Sequence, residues 1–138
     1  MHIIDYQEDG ASCYGYAVSS DKEQVKNYLT KFTEHSERIS SWLKEHCQEI
    51  AILKNLYVED NMRGRGRGSK LLERFLSEAE NECVEAIVII SDSAESNRFK
   101  LDEWYGGYGF YRVTDTGCGS VMVYPEEIGM QMKADLFP

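Results

Sequence analysis

The stretch Arg63-Gly64-Arg65-Gly66-Arg67-Gly68-Ser69 combines residue types that do chemistry on anions. Glycines let a backbone come close to a ligand with no Cβ in the way, and the N–H groups of a helix's first turn, at its positive dipole end, bind oxyanions. The stretch joins an apolar run ending at Val58 to an apolar helical stripe starting near Ser69, so it reads as a pyrophosphate seat at a strand-to-helix junction. Arg63, Arg65, Arg67, Lys70 and Arg74 are also the one basic island in a chain with 15 Lys and Arg against 24 Asp and Glu, a net charge of −9. An acidic body repels long polyanions, whereas a local basic island holds a small, multiply charged one at short range. A nucleotide-sized anion therefore fits better than DNA or RNA. A P-loop needs a Lys-Ser or Lys-Thr after its glycines and none follows, and Gly64-x-Gly66-x-Gly68 has the wrong spacing for a dinucleotide fingerprint.

The elements that must carry this loop are legible from periodicity. Ile3 to Tyr6 and Cys13 to Val18 read as a hairpin about Glu8-Asp9-Gly10. Ser20-x-x-Glu23 has capping-box spacing, and Val25, Tyr28, Leu29, Phe32, Ile39 and Leu43 continue an amphipathic helix to about His46, with a break near His35-Ser36. Glu49 to Val58 is a buried strand. Leu71, Leu72, Phe75, Leu76 and Ala79 form a helical stripe before the second apolar run, Ala86 to Ile90. Strand, loop, helix and strand make a βαβ unit with parallel strands buried on both faces. A short helix over Phe99 to Tyr105, closed by Gly106-Gly107, precedes a final antiparallel pair, Phe110 to Thr114 and Ser120 to Tyr124.

From Leu56-Tyr57-Val58 through the loop to Trp104-Tyr105-Gly106-Gly107-Tyr108-Gly109-Phe110, the chain resembles the GCN5-related N-acetyltransferases. Their Q/R-x-x-G-x-G/A loop is matched at every defined position by Arg63 to Gly68. The resemblance implies an α/β fold: a mixed sheet whose central parallel strands splay apart, flanked by helices. It implies acetyl-CoA as co-substrate, its pantetheine arm along Leu56, Tyr57 and Val58 and its pyrophosphate on the amides of Gly64 to Ser69, with Asn97 as a further contact. Tyr105, five residues before Phe110, matches the Tyr that commonly protonates the departing thiolate. A main-chain N–H near Val58 would hold the oxyanion. The base stays open among Glu49, Glu59, Asp60 and an ordered water. The activity implied is direct acetyl transfer to a primary amine of a small molecule or peptide in a ternary complex, without a metal or a covalent cysteine intermediate. A non-catalytic acyl-CoA-binding protein is the alternative, because Gly106-Gly107 should fray the helix that carries Tyr105. A toxin-type acetyltransferase of aminoacyl-tRNA would prefer a basic surface.

With 138 residues, 42% of them hydrophobic, the chain suits one domain over 1–138 that needs no staples. The longest apolar run falls far short of the roughly 20 residues that cross a bilayer. The residues after Met1 show no secretory pattern, so a cytoplasmic location is expected. Cys13, Cys47, Cys83 and Cys118 lack metal-ligand spacing and read as reduced thiols, and His2, His35 and His46 read as surface or structural residues. The apolar tail from Pro125 to Pro138 is expected to dock on its own domain, with a homodimer contact as the alternative.

Overall fold

The computed structural model describes residues 1–59, 64, 66–91, 98–117 and 119–138. Arg63, Arg65, Asn97, Asp60 and Cys118 lie outside the described residues. Strands β1 (His2–Glu8) and β2 (Ala11–Ser19) form the expected hairpin, followed by helices α1 (Glu23–Thr30) and α2 (Ser36–His46). Strand β3 (Glu49–Val58), helix α3 (Arg67–Asn81) and strand β4 (Ala86–Ile90) form the βαβ unit. Helix α4 (Arg98–Gly106), strands β5 (Tyr111–Asp115) and β6 (Ser120–Tyr124), and helix α5 (Glu126–Leu136) complete the order. The six strands run β1-β2-β3-β4-β6-β5, and β3 with β4 is the parallel pair in an otherwise antiparallel sheet.

Successive residues of a strand face opposite sides, and both sides of β3 are covered over residues 50–53. Ile50 and Ile52 pack with Val25, Leu29, Ile39 and Leu43 beneath α1 and α2, while Ala51 and Leu53 pack with Leu71, Leu72 and Phe75 of α3. This explains why residues 50–53 of β3 and the whole of β4 read as unbroken apolar runs rather than as alternating ones.

The stretch expected as one interrupted helix is two helices. Phe32 and Thr33 both donate main-chain bonds to the Leu29 carbonyl, closing α1, and the Thr33 hydroxyl accepts the His35 N–H at 3.1 Å just before α2 begins. The capping box does not form either. The N-cap of α1 is Lys22 with no side-chain bond, and the Ser20 hydroxyl instead donates to the Cys47 carbonyl, tying the entry of α1 to the exit of α2. Helix α3 begins two residues ahead of the expected Ser69, because Gly66 takes the cap position.

The apolar tail docks on its own chain. Met132 is fully buried, Ile128, Leu136 and Phe137 pack on the α1–α2 core, and the Trp42 indole N–H donates to Asp135 at 2.8 Å. Trp42 is only 4% exposed, so its N–H has little access to water once that partner is gone. Asp135→Ala should therefore cost about 1–3 kcal/mol, read as a lower urea midpoint at unchanged slope. Among the described residues no helix is long and apolar enough to cross a membrane.

Candidate active site

The parallel ladder between β3 and β4 stops early. Ile50 to Leu53 pair with Ala86 to Ile89, but β3 continues to Val58 while β4 ends at Ile90. On its other side, β3 pairs Leu53 with Gly15 and Asn55 with Tyr14, leaving Lys54 as an extra residue, a bulge. A bulge bends its strand and shifts the alternation by one. Leu56 and Val58 consequently face α3 together with Leu53, whereas the same residues in unbulged alternation would face α1. Among the described residues the upper part of β3 has no ladder partner in β4, and that flank of the strand is the gap. Backbone groups of residues 54–57 that alternate toward that gap are placed to receive an extended ligand, as a sheet edge receives a strand.

Gly15 lets α3 come down onto the bend. A Cβ there would lie 2.1 Å from the Ile52 carbonyl oxygen and 2.7 Å from the Phe75 ring. Only a hydrogen fits.

Above the gap, Gly66 has φ 74° and ψ 11°, a left-handed conformation that side chains resist, and it turns the chain into α3. No side chain caps this helix, and its first main-chain bond runs from the Lys70 N–H to the Gly66 carbonyl at 3.1 Å. The first-turn N–H groups of Arg67, Gly68 and Ser69 are thus presented at the positive end of a 15-residue helix. A Cβ on Gly64, at φ 82°, would meet nothing within 4 Å among the described residues. The Arg67 guanidinium donates to the Asp9 carbonyl at 2.9 Å and lies 3.7 Å from the Glu8 carboxylate, so it binds the loop to the β1–β2 turn. Arg74, from the same basic island, stacks over the Tyr6 ring at 3.9 Å.

Helix α4 brings its aromatics to the same place. The site of a Cβ on Gly68 lies 3.6 Å from Val58 Cγ2 and 3.8 Å from the Trp104 ring, so the start of α3, the end of β3 and α4 converge. Tyr105, 7% exposed, belongs to the cluster holding Leu53 and Ile89, the last pair of the parallel ladder, and Cys13. Its ring meets Trp104 at 5.0 Å and Phe110 at 5.6 Å, both edge-on. Burial, with a smaller push from Cys13, holds the phenol well above its ordinary pKa, so the group stays protonated. Among the described residues nothing hydrogen-bonds its hydroxyl. The expected fraying at Gly106-Gly107 does not occur: Gly107 N–H bonds the Glu103 carbonyl at 3.0 Å and Gly109 N–H the Gly106 carbonyl at 3.1 Å, so the glycines close the turn.

On the opposite face of the gap, Ser12 and Tyr14 of β2 and Lys54, Asn55 and Tyr57 of β3 form an open polar shelf. Tyr57 is 49% exposed, the Lys54 ammonium stands 6.0 Å from the Tyr14 ring centroid, and Tyr28 of α1 reaches the Leu53 carbonyl at 3.5 Å. Sequence reasoning passed over Lys54 and Asn55, although two consecutive polar residues inside an apolar run are a bulge signal. Of the candidate bases, Glu49 lies at the far end of β3, lining a cavity of about 340 Å³ with His2, Lys22 and Glu82. Glu59 donates its main-chain N–H to the Gly10 carbonyl at 2.7 Å, just past the end of β3. The buried thiols are held protonated, Cys13 at about 12 and Cys47 at about 11, chiefly by desolvation.

No protein-family model matches the sequence, and neither does any curated protein. Solved structures do match. Arylalkylamine N-acetyltransferase 2 from Aedes aegypti is similar over 83% of this chain and 66% of its own, with 14% identity and a TM-score of 0.53. Naa20 from Chaetomium thermophilum, solved with a bisubstrate analogue, is similar over 98% of this chain and 68% of its own, with 14% identity and a TM-score of 0.56. The chain thus spans about two thirds of the length of these structures. Its fold is that of the GCN5-related N-acetyltransferases.

Proposed function

We propose that the protein is an acetyl-CoA-dependent N-acetyltransferase that acts on a primary amine of a small molecule or peptide by direct transfer. The observation that carries this reading is a convergence at one gap: first-turn N–H groups of α3 above, the backbone of β3 beyond its ladder with β4 along the side, and the buried hydroxyl of Tyr105, which has no hydrogen bond among the described residues, beneath. These residues fit coenzyme A. Main-chain N–H groups of Gly64 and Gly66 to Ser69 suit its pyrophosphate, with Arg63 and Arg65 of the same loop adding charge, and β3 from Leu56 to Val58 suits its amide-bearing arm. Asn97 is assigned to the coenzyme on its sequence position. A main-chain N–H at the end of β3 stabilises the oxyanion as the amine attacks, and Tyr105 gives its proton to the departing sulfur. The amine crosses the shelf of Tyr14, Lys54, Asn55 and Tyr57. The similar structures named for arylalkylamines support an amine acceptor. The non-catalytic alternative loses its main support with the ordered end of α4.

Titration with acetyl-CoA tests the reading. At free ligand about 100 times Kd, the protein should gain about 2.7 kcal/mol of stability and melt correspondingly higher. An unchanged melting temperature at saturating acetyl-CoA would refute it. Binding without thiol release from any amine in a broad panel would instead make the chain a binding protein.

A further inference from the structure

Asp102 lies one helical turn before Tyr105 on α4, and its side chain is only 11% exposed. Ser91 follows β4 and Ser120 opens β6, and the Ser91 N–H donates to the Ser120 carbonyl at 2.9 Å, extending the β4–β6 ladder by one pair. Both serines are buried, at 1% and 0% exposure. Their hydroxyls turn toward α4 and grip the two carboxylate oxygens separately: Ser91 Oγ donates to Oδ1 at 2.5 Å and Ser120 Oγ to Oδ2 at 2.8 Å. The Ser120 N–H donates to Ser91 Oγ at 3.2 Å, which fixes that hydroxyl in turn, and Arg112 stands 3.9 Å from Oδ2. A surface helix needs no such staple. Apolar contacts from Leu101, Trp104 and Tyr105 hold α4 against the sheet but leave it free to slide, whereas two directional bonds to a carboxylate fix its position along the strands.

We propose that Asp102, held by Ser91 and Ser120, is the positioning residue for Tyr105, setting the height of the phenol beneath the gap; the inference rests on the acetyltransferase reading. Asp102 touches no reacting atom and acts through the helix alone. A displacement near 1 Å at a reacting group costs on the order of a hundredfold in rate, so a modest slip of α4 is enough to matter.

Steady-state thiol release from acetyl-CoA, with an arylalkylamine, a diamine and a peptide amino terminus as acceptors, provides the test. Asp102→Ala should lower kcat by roughly ten- to a hundredfold while acetyl-CoA affinity, measured by calorimetry, stays unchanged. Asp102→Asn should recover most of the rate, because the amide accepts from one serine and donates to the other. In a Tyr105→Phe background, Asp102→Ala should cause no further loss. A full additional loss in that background, or a parallel loss of acetyl-CoA affinity, overturns the proposal. A Tyr105→Phe variant as active as the parent sinks the assignment of the acid itself, a distinguishable failure. Amide hydrogen exchange needs no acceptor: Asp102→Ala should speed exchange across residues 101–107 and leave α3 unchanged, and equal exchange in the two proteins also overturns the proposal.

Discussion

Tyr105→Phe is expected to lower turnover by roughly two to four orders of magnitude, the range set by losing a positioned acid. The substitution is clean because the ring keeps its edge contacts with Trp104 and Phe110 and only the oxygen goes. Acetyl-CoA affinity should persist, since the proposed reading puts the phosphates on main-chain groups of the glycine loop and not on Tyr105. Stability should persist or rise, because the hydroxyl has no partner among the described residues and a buried hydroxyl lacking one costs about 1–3 kcal/mol in the folded state. A variant that is more stable and far slower is the signature of a group kept for its chemistry. The raised phenol pKa adds a sign: the acid stays protonated as pH climbs and acceptor amines become neutral, so the rate of the parent should rise into the alkaline range. Equal turnover of the two proteins, measured as thiol release, would remove Tyr105 from the acid role.

Gly15→Ala should give the largest loss of stability among single-methyl additions at the site. The new carbon would lie 2.1 Å from the Ile52 carbonyl oxygen, a backbone atom that cannot rotate away, and 2.7 and 2.9 Å from two Phe75 ring atoms. Overpacking of this kind costs about 1–3 kcal/mol and sometimes more. Urea unfolding should show the midpoint falling at constant slope, and because the displaced atoms border the bulge, acetyl-CoA affinity should fall with it. A midpoint within error of the parent would mean that the α3–β2 contact is looser than described.

Much of this architecture was written in short-range pattern. The bounds of β4 and β6 follow from where apolar runs begin and stop, since a strand buried on both faces is apolar throughout, while β3 runs on through the polar pair Lys54-Asn55. The glycine-arginine loop was legible because its neighbours placed it between a strand and a helix. Long-range geometry was not. The insertion of β6 between β4 and β5 depends on how a late strand threads the sheet, and no local spacing encodes that. The two serines and Asp102 are unremarkable polar residues in sequence, 29 and 18 positions and 11 positions apart, and become a unit only when the ladder aligns them. The break between α1 and α2 was anticipated at His35-Ser36, but the competing bonds of Thr33 and Ser20 required coordinates to see.

Lys54 sets a parity rule for the whole upper half of β3. Pairing Lys54 in step, one partner per residue, would make an even zipper with β2, yet it would turn Leu56 and Val58 toward the shelf side and swing Tyr57 beneath α3. The grease and the wet rim would trade places without any change in composition. Register at this point of the strand is therefore as tightly constrained as residue identity, and drift can proceed by substitution but not by slippage.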